Sequence, residues 1–237
     1  MPVRDGLIEW GEVQKGLLAP LKSPCVQITE VDLPKAPIKE INSSYHVGLV
    51  GMLQVEAAIK AEEEGYDAVV LGCLDEPGVS EAKEALNIPA VGEAESSMHY
   101  ASLVGRKFSF IGGSPESKGV LEDLAKKYGF YNKLASIRKI NASPLDFAAE
   151  KHFLLDKMLI EGRKAINEDG ADSIIGYGSI ECLEILRKEL ACPVISPVQA
   201  SVLMAESLVR QNISHSKKAF PLPSNISNIK KLKIKYE

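Results

Sequence analysis

GYDAVVLGCLDEPGVSEAKEALNIPAVG, residues 65–92, reads as a strand, a tight turn and a helix, with Cys73 at the hinge. Asp67-Ala-Val-Val-Leu71 is a short apolar run rich in β-branched residues and bounded by Gly65 and Gly72, the pattern of a buried parallel strand. Helical spacing resumes through Val79, Ala82, Ala85 and Leu86, and Pro89 opens a second apolar segment. Cys73 is thereby predicted at the carboxyl end of a strand, where open α/β sheets place ligands and chemistry.

The same unit recurs about a hundred residues on. Gly170-Ala-Asp-Ser-Ile-Ile-Gly-Tyr-Gly178 repeats 65–73, with Asp172 on Asp67, and Cys192-Pro193 falls opposite Ile88-Pro89 after a one-residue slip. Upstream, Glu56 matches Glu161 and Glu63 matches Glu168. A long-period repeat of this kind implies two similar α/β halves facing each other. Counted from the shared Asp, the position opposite Cys73 is Gly178. The two halves are alike, but only one carries a thiol there.

The rest of the chain fits this frame. Asp5 is placed to cap a helix through Ile8, Val13, Leu17 and Leu18, ended by Pro20. Residues 25–33 alternate with the period of a strand. A helix is predicted from Asn42 to about Glu64, another over 93–103, and strands over 107–111 and near 134–140. Between those strands, Gly112-Gly-Ser-Pro-Glu116 combines flexible glycines with a Ser cap and a Pro at the first helical position. A long helix over 146–167 feeds the second unit, and 199–209 is helical. The fold class expected is α/β, two pseudo-symmetric Rossmann-like domains with parallel sheets and the active site in the cleft between them. The division expected is 1–93 plus about 200–220 for the first half and 94–199 for the second. Residues 221–237 form a tail, with a linker over 221–225 and an alternating basic and apolar end.

Composition narrows the function. The 237 residues are 45% hydrophobic and 25% charged, ordinary for a soluble globular protein, and the formal net charge of −4 argues against a general nucleic-acid partner. No apolar run approaches a membrane span, and the first residues lack a secretory signal. Four cysteines without a CxxC pair read as free thiols in a reducing cytoplasm. His46 and His99 lack ligand spacing, and no P-loop or GxGxxG fingerprint is present, so neither a metal nor a nucleotide cofactor is expected.

Cys73 is the principal catalytic candidate. Backbone N–H groups and a helix start at its turn are expected to favour the thiolate, which can take a proton from carbon or attack as a nucleophile. Gly112, Gly113 and Ser114 form a candidate cradle for a carboxylate or phosphate. Tyr177, Gly178 and Ser179 make the counterpart turn, with two hydroxyls able to polarise a carbonyl. Cys182 and Cys192 read as packing residues.

Residues 72–111, GCLDEPGVSEAKEALNIPAVGEAESSMHYASLVGRKFSFI, closely resemble the aspartate/glutamate/hydantoin racemase superfamily, in particular its hydantoin-racemase-like branch. Ile41-Asn-Ser-Ser-Tyr45 and Ser214-His-Ser-Lys217 are also similar to segments of that branch, which adds Ser43 and Tyr45 to the expected substrate site. The resemblance implies an isomerase that uses no cofactor and works on a small carboxylate or hydantoin-like substrate. Two cysteines, one per half, would exchange a proton on opposite faces of the carbon next to a carbonyl. Self-association stays open. The chain departs from this pattern at Gly178, where the second cysteine is missing, and at residues 2–5, where the usual first strand and its turn are reduced. One-cysteine decarboxylases and cis–trans isomerases of the superfamily are the alternatives, with a binding protein that has lost its chemistry as a third. A cysteine restored at position 178 is expected to complete a two-base site.

Overall fold

The computed structural model describes residues 2–33, 35–112, 117–140 and 151–224. Two parallel sheets form the frame. In the first half β1 (Val69–Leu71) pairs in parallel with β2 (Ala90–Gly92), flanked by α2 (Ser44–Glu63) and α3 (Val79–Ala85). In the second, β3 (Phe108–Ile111), β4 (Leu134–Arg138), β5 (Ser173–Gly176) and β6 (Val194–Ile195) form a parallel sheet ordered β4-β3-β5-β6. The expected α/β class with parallel sheets is thus observed. The repeat is observed as well: β1 and β2 of the first half correspond to β5 and β6, each later strand entered from a proline.

Helices α1 (Gly6–Leu18), α4 (Glu93–Val104), α5 (Ser117–Lys127), α6 (Lys151–Asn167), α7 (Ile180–Leu190) and α8 (Pro197–Arg210), with short 3-10 turns at Ala19–Leu21 and Tyr131–Lys133, complete the described elements. The larger sheet is covered on both faces, as its uninterrupted apolar strands require. Ile111 and Ile174 pack with Val13 and Leu17 of α1, Met158 of α6 and Leu183 and Leu186 of α7. Phe108, Phe110 and Ile175 pack with Ala94 and Met98 of α4 and with Leu121 and Leu124 of α5. The pseudo-equivalent helices α4 and α8 lie against each other, and α8 also reaches β1 and β2, so the crossing pair joins the halves.

Three expectations are corrected. Residues 25–33 are not a strand: among the described residues only an isolated bridge, Ser23 to Val26, forms there. The side chains nevertheless alternate between covered and open, so the period reflects one-sided packing of an extended chain without a ladder partner. Asp5 stands at the start of α1, but with φ +60° and no side-chain cap. The carboxylate that accepts the Leu7 N–H, at 2.9 and 3.1 Å, is that of Asp32, from this same extended segment. Finally, β1 is less buried than its composition suggests. It pairs only with β2 among the described residues, and Val70 is 37% exposed. The end of the tail, from 225, lies outside the described residues.

The turn after β1 is locked by close approach. Gly78 has φ +77°, and a Cβ there would stand 2.4 Å from the Gly51 carbonyl of α2. The far end of α3 is held by Lys217, whose ammonium donates to the carbonyls of Lys83, Glu84 and Leu86. A cation on the free carbonyls of a helix end satisfies orphan acceptors and complements the helix dipole. Replacing Lys217 with Met, which keeps the stem and removes the donor, should lower the unfolding free energy by about 1–2 kcal/mol. Urea denaturation checks this, and an unchanged midpoint would show that water replaces the cap without cost.

Candidate active site

The strand ends of the two halves face one cavity of about 150 Å³. Cys73, Leu74, Asp75 and Glu93 line it from the first half, and Phe110, Ile111, Gly112, Tyr177 and Gly178 from the second. Helix α1 closes one side with Trp10, Val13, Gln14 and Leu17, and Pro2, Val3 and Ile41 complete an apolar wall. Lys39 also lines the cavity and is paired with Asp5 at 3.3 Å.

Cys73 sits at the turn in an unusual conformation for a residue with a side chain, φ +102°. Such a φ stores on the order of 1–3 kcal/mol and persists only where the surroundings fix it. Here they do. The Cys73 carbonyl accepts the Glu76 N–H at 3.0 Å, Gln54 of α2 donates to the preceding Gly72 carbonyl at 3.2 Å, and the Cys73 N–H is taken by Glu93. The sulfur accepts the Asp75 N–H.

That one N–H does not make a thiolate, contrary to the sequence expectation. Burial, with Asp75, Glu93 and Glu76 as neighbouring acids, pushes the Cys73 thiol well above its ordinary range. Desolvation and like charge both penalise the anion and outweigh the hydrogen bond. At rest the group is a thiol, and its conjugate base, once formed, is a strong one.

Glu93, the first residue of α4 at the end of β2, was not singled out from the sequence. It is 3% exposed. Its carboxylate accepts the Tyr177 hydroxyl from the opposite half as well as the Cys73 N–H. Burial raises its pKa to about 7, against the lowering effect of those two hydrogen bonds. The Tyr177 phenol is pushed well above 10 by burial and by Glu93 and Cys73. An acid at a strand end pointing toward Cys73 was the available signal, but an acidic first helical residue has an ordinary dipole explanation.

The remaining expected residues divide. Gly112 lines the cavity with φ +118°, and its N–H is already donated to the Arg138 carbonyl at 3.0 Å. Gly113 and Ser114 lie outside the described residues. Ser179 caps α7, accepting the Cys182 N–H at 3.3 Å, and is not on the cavity wall. Ser43 caps α2 through the His46 N–H at 3.2 Å, and Tyr45 is 76% exposed; neither reaches the cavity. Among the described residues no group of three or more His, Cys, Asp or Glu side chains is arranged to hold a metal ion.

At Gly178 the space of the missing side chain is occupied. A Cβ built there would lie 2.9 Å from the Cys182 sulfur and 3.1 Å from its Cβ. Cys182, one turn into α7, packs against the core of the second half, and burial raises its pKa to about 11.

A cysteine at a strand end, facing the cleft between two parallel α/β halves, defines the class: a two-lobed α/β isomerase of racemase type. Residues 14–205 match the Asp/Glu/Hydantoin racemase family model, and the chain belongs to that family. The hydantoin racemase of Pseudomonas sp. (strain NS671) is 37% identical over 180 residues, covering 74% of this chain and 72% of that one. The hydantoin racemase of Paenarthrobacter aurescens is 34% identical, with 75% and 76% covered. Among solved structures, allantoin racemase from Klebsiella pneumoniae superposes with a TM-score of 0.85 at 26% identity, over 92% of this chain and 90% of that one.

Two predictions follow from the geometry. Gly178→Cys alone should destabilise the protein by about 1–3 kcal/mol through overpacking, and adding Cys182→Ala should recover most of that loss in thermal melts. An undiminished melting temperature in the single variant would show that Cys182 moves aside freely. The second concerns pH. Because the folded pKa of Glu93 lies above its ordinary 4.5, the folded chain retains a proton that the unfolded chain releases. Its contribution to stability is complete below the ordinary value and is lost as pH climbs through about 7. Glu93→Gln carries no such charge, so its unfolding free energy should match the wild type near pH 4 and exceed it by on the order of 3 kcal/mol near pH 9. Parallel stability–pH curves for the two proteins would refute the assignment.

Proposed function

We propose that the chain inverts the stereocentre of a hydantoin-type substrate, an uncharged cyclic ureide with an apolar substituent, with Cys73 as the acid and base on one face. The observation that carries this is the charge around the thiol. Among the described residues the charged groups that act on the Cys73 thiol are Asp75, Glu93 and Glu76, all acidic, while Lys39, on the same cavity, is paired with Asp5. A free amino-acid or malonate carboxylate would enter against that field. A neutral ring would not, and its N–H groups can donate to Asp75 and Glu93, the carboxylates on the cavity wall. The apolar wall of Trp10, Val13, Leu17, Ile41 and Phe110 suits an apolar ring substituent.

The chemistry matches as well. A hydantoin C5–H, beside a neutral carbonyl, is more acidic than the corresponding carbon of an amino-acid anion, so a thiolate can remove it. Burial keeps the Cys73 thiolate poorly solvated and therefore strongly basic. The strained backbone at Cys73 and the hydrogen bonds on either side hold the sulfur in one place, the condition for proton transfer at close range. Two of the relatives it matches are named hydantoin racemase, which supports the same substrate class. One-faced chemistry such as decarboxylation is the second reading, favoured by Gly178, which brings no acid of its own. It needs a doubly ionised substrate to bind among carboxylates, which places it second.

Proton NMR and polarimetry in D₂O, with 5-benzylhydantoin, phenylalanine and phenylmalonate compared against a protein-free blank, test the proposal. Loss of the C5–H signal together with optical rotation is expected for the hydantoin alone, and Cys73→Ser should reduce both by roughly 1,000-fold or more. Turnover of phenylalanine or phenylmalonate instead, or full activity in Cys73→Ser, would sink it.

A further inference from the structure

Inversion needs a proton delivered to the face that Cys73 does not serve, and the second half has no thiol at the matching position. We infer that Tyr177, backed by Glu93, is the acid and base for that second face, doing from one residue before Gly178 what the missing cysteine would do. The inference rests on the racemase function proposed above and supplies its second catalytic group.

The placement is direct. Tyr177 belongs to the turn after β5, the counterpart of the Cys73 turn, and it lines the same cavity as Cys73 and Glu93. Its hydroxyl donates to Glu93 across the cleft. Two other side chains near Gly178 could be considered. Ser179 spends its oxygen on the start of α7, and Cys182 packs behind Gly178 with its sulfur off the cavity wall.

A phenol alone is a poor base at neutral pH, and burial makes Tyr177 poorer still. Coupling to Glu93 removes the difficulty, because the acid strength of the pair is then that of a carboxyl near 7. The balance is simple. The Cys73 thiolate takes the C5 proton: the C–H bond breaks, an S–H bond forms and the electron pair passes into the ring enolate. From the other face the Tyr177 O–H breaks and a new C–H bond forms, while the proton of the Glu93 carboxyl moves to the phenol oxygen. Cys73 has gained one proton and Glu93 has lost one. The opposite enantiomer runs the same steps in reverse, with Glu93 as carboxylate and Cys73 as thiol. One proton carried by either Cys73 or Glu93 therefore gives the two working forms. A neutral Glu93 removes one of the charges that hold the thiol protonated, which eases formation of the thiolate.

Enantiopure (R)- and (S)-5-benzylhydantoin in D₂O test the inference, with deuterium uptake into the starting enantiomer followed separately from appearance of its mirror image. Tyr177→Phe should keep uptake for the enantiomer that Cys73 deprotonates within about fivefold of wild type, while inversion of both enantiomers falls by roughly 100-fold or more. Glu93→Gln should give the same split, and Cys182→Ala should invert at the wild-type rate. Retained uptake in Tyr177→Phe also shows that the variant is folded. Inversion at the wild-type rate in Tyr177→Phe would overturn the inference, as would loss of inversion in Cys182→Ala, which would assign the second face to that thiol. Loss of uptake for both enantiomers in a Tyr177→Phe protein with unchanged near-ultraviolet circular dichroism would overturn it too, leaving Tyr177 a positioning residue. A wild-type protein that neither exchanges nor inverts any hydantoin would refute the proposed function itself, a separate outcome.

Discussion

The site depends on one buried carboxylate. Glu93 accepts the backbone N–H of Cys73 on its own side and the hydroxyl of Tyr177 from the other half. An unpaired buried carboxyl would cost several kcal/mol. Paired this way, it holds Cys73 at φ +102° and ties the two strand-end turns to each other. The burial that raises the pKa values of Cys73, Glu93 and Tyr177 has one cause, a cavity walled by α1 and by the apolar strand ends. Remove α1, and water would enter where the thiol and carboxyl now face each other.

The two halves are symmetric in scaffold and asymmetric in chemistry. Each supplies a strand, a turn and a helix, and the crossing helices α4 and α8 begin at corresponding points, one with Glu93 and the other with Ser196 as cap and Pro197 at its first position. In the first half that point carries an acid beside the thiol. In the second half the thiol position is Gly178, crowded by Cys182, and the preceding Tyr177 reaches back to the acid of the first half. The asymmetry is therefore shared across the cleft, with the acid on the first half and the phenol that bonds to it on the second.

Most of this frame could be read from the residues. The apolar runs at 67–71 and 171–175, each bounded by glycines, fixed β1 and β5, and the shared Asp gave the register that places Gly178 opposite Cys73. What the sequence hid was tertiary. Residues 25–33 alternate because one side packs, and period alone does not say whether a neighbouring strand exists to accept the ladder. Glu93 was read as the start of a helix, which it is; that it is buried, and what it touches, depends on Tyr177, 84 residues away. The expected thiolate at Cys73 followed from the turn geometry, and it failed because three carboxylates converge from α4 and from the turn itself. The turn around Gly178 reads as offering the Ser179 hydroxyl to a ligand, whereas the start of α7 takes it as a cap.

The same convergence of acids decides what kind of molecule belongs here. A field of carboxylates near a base raises the cost of any anion, including the enolate that proton removal creates, so it would be a poor design for a substrate already charged. For a neutral ring it has a use. In the function proposed above, Asp75 and Glu93 would accept the ring N–H groups and fix the ring plane, and the acids keep the thiol protonated at rest. The enolate formed is then the only new charge introduced, and it is short-lived when a proton stands ready on the opposite face. A thiol that ionises with difficulty and a carboxyl poised near 7 differ in intrinsic strength, and the thiol sits in the carboxylate's field. Protonating Glu93 lowers the cost of ionising Cys73, and that is the dependence the two-faced chemistry inferred above would draw on.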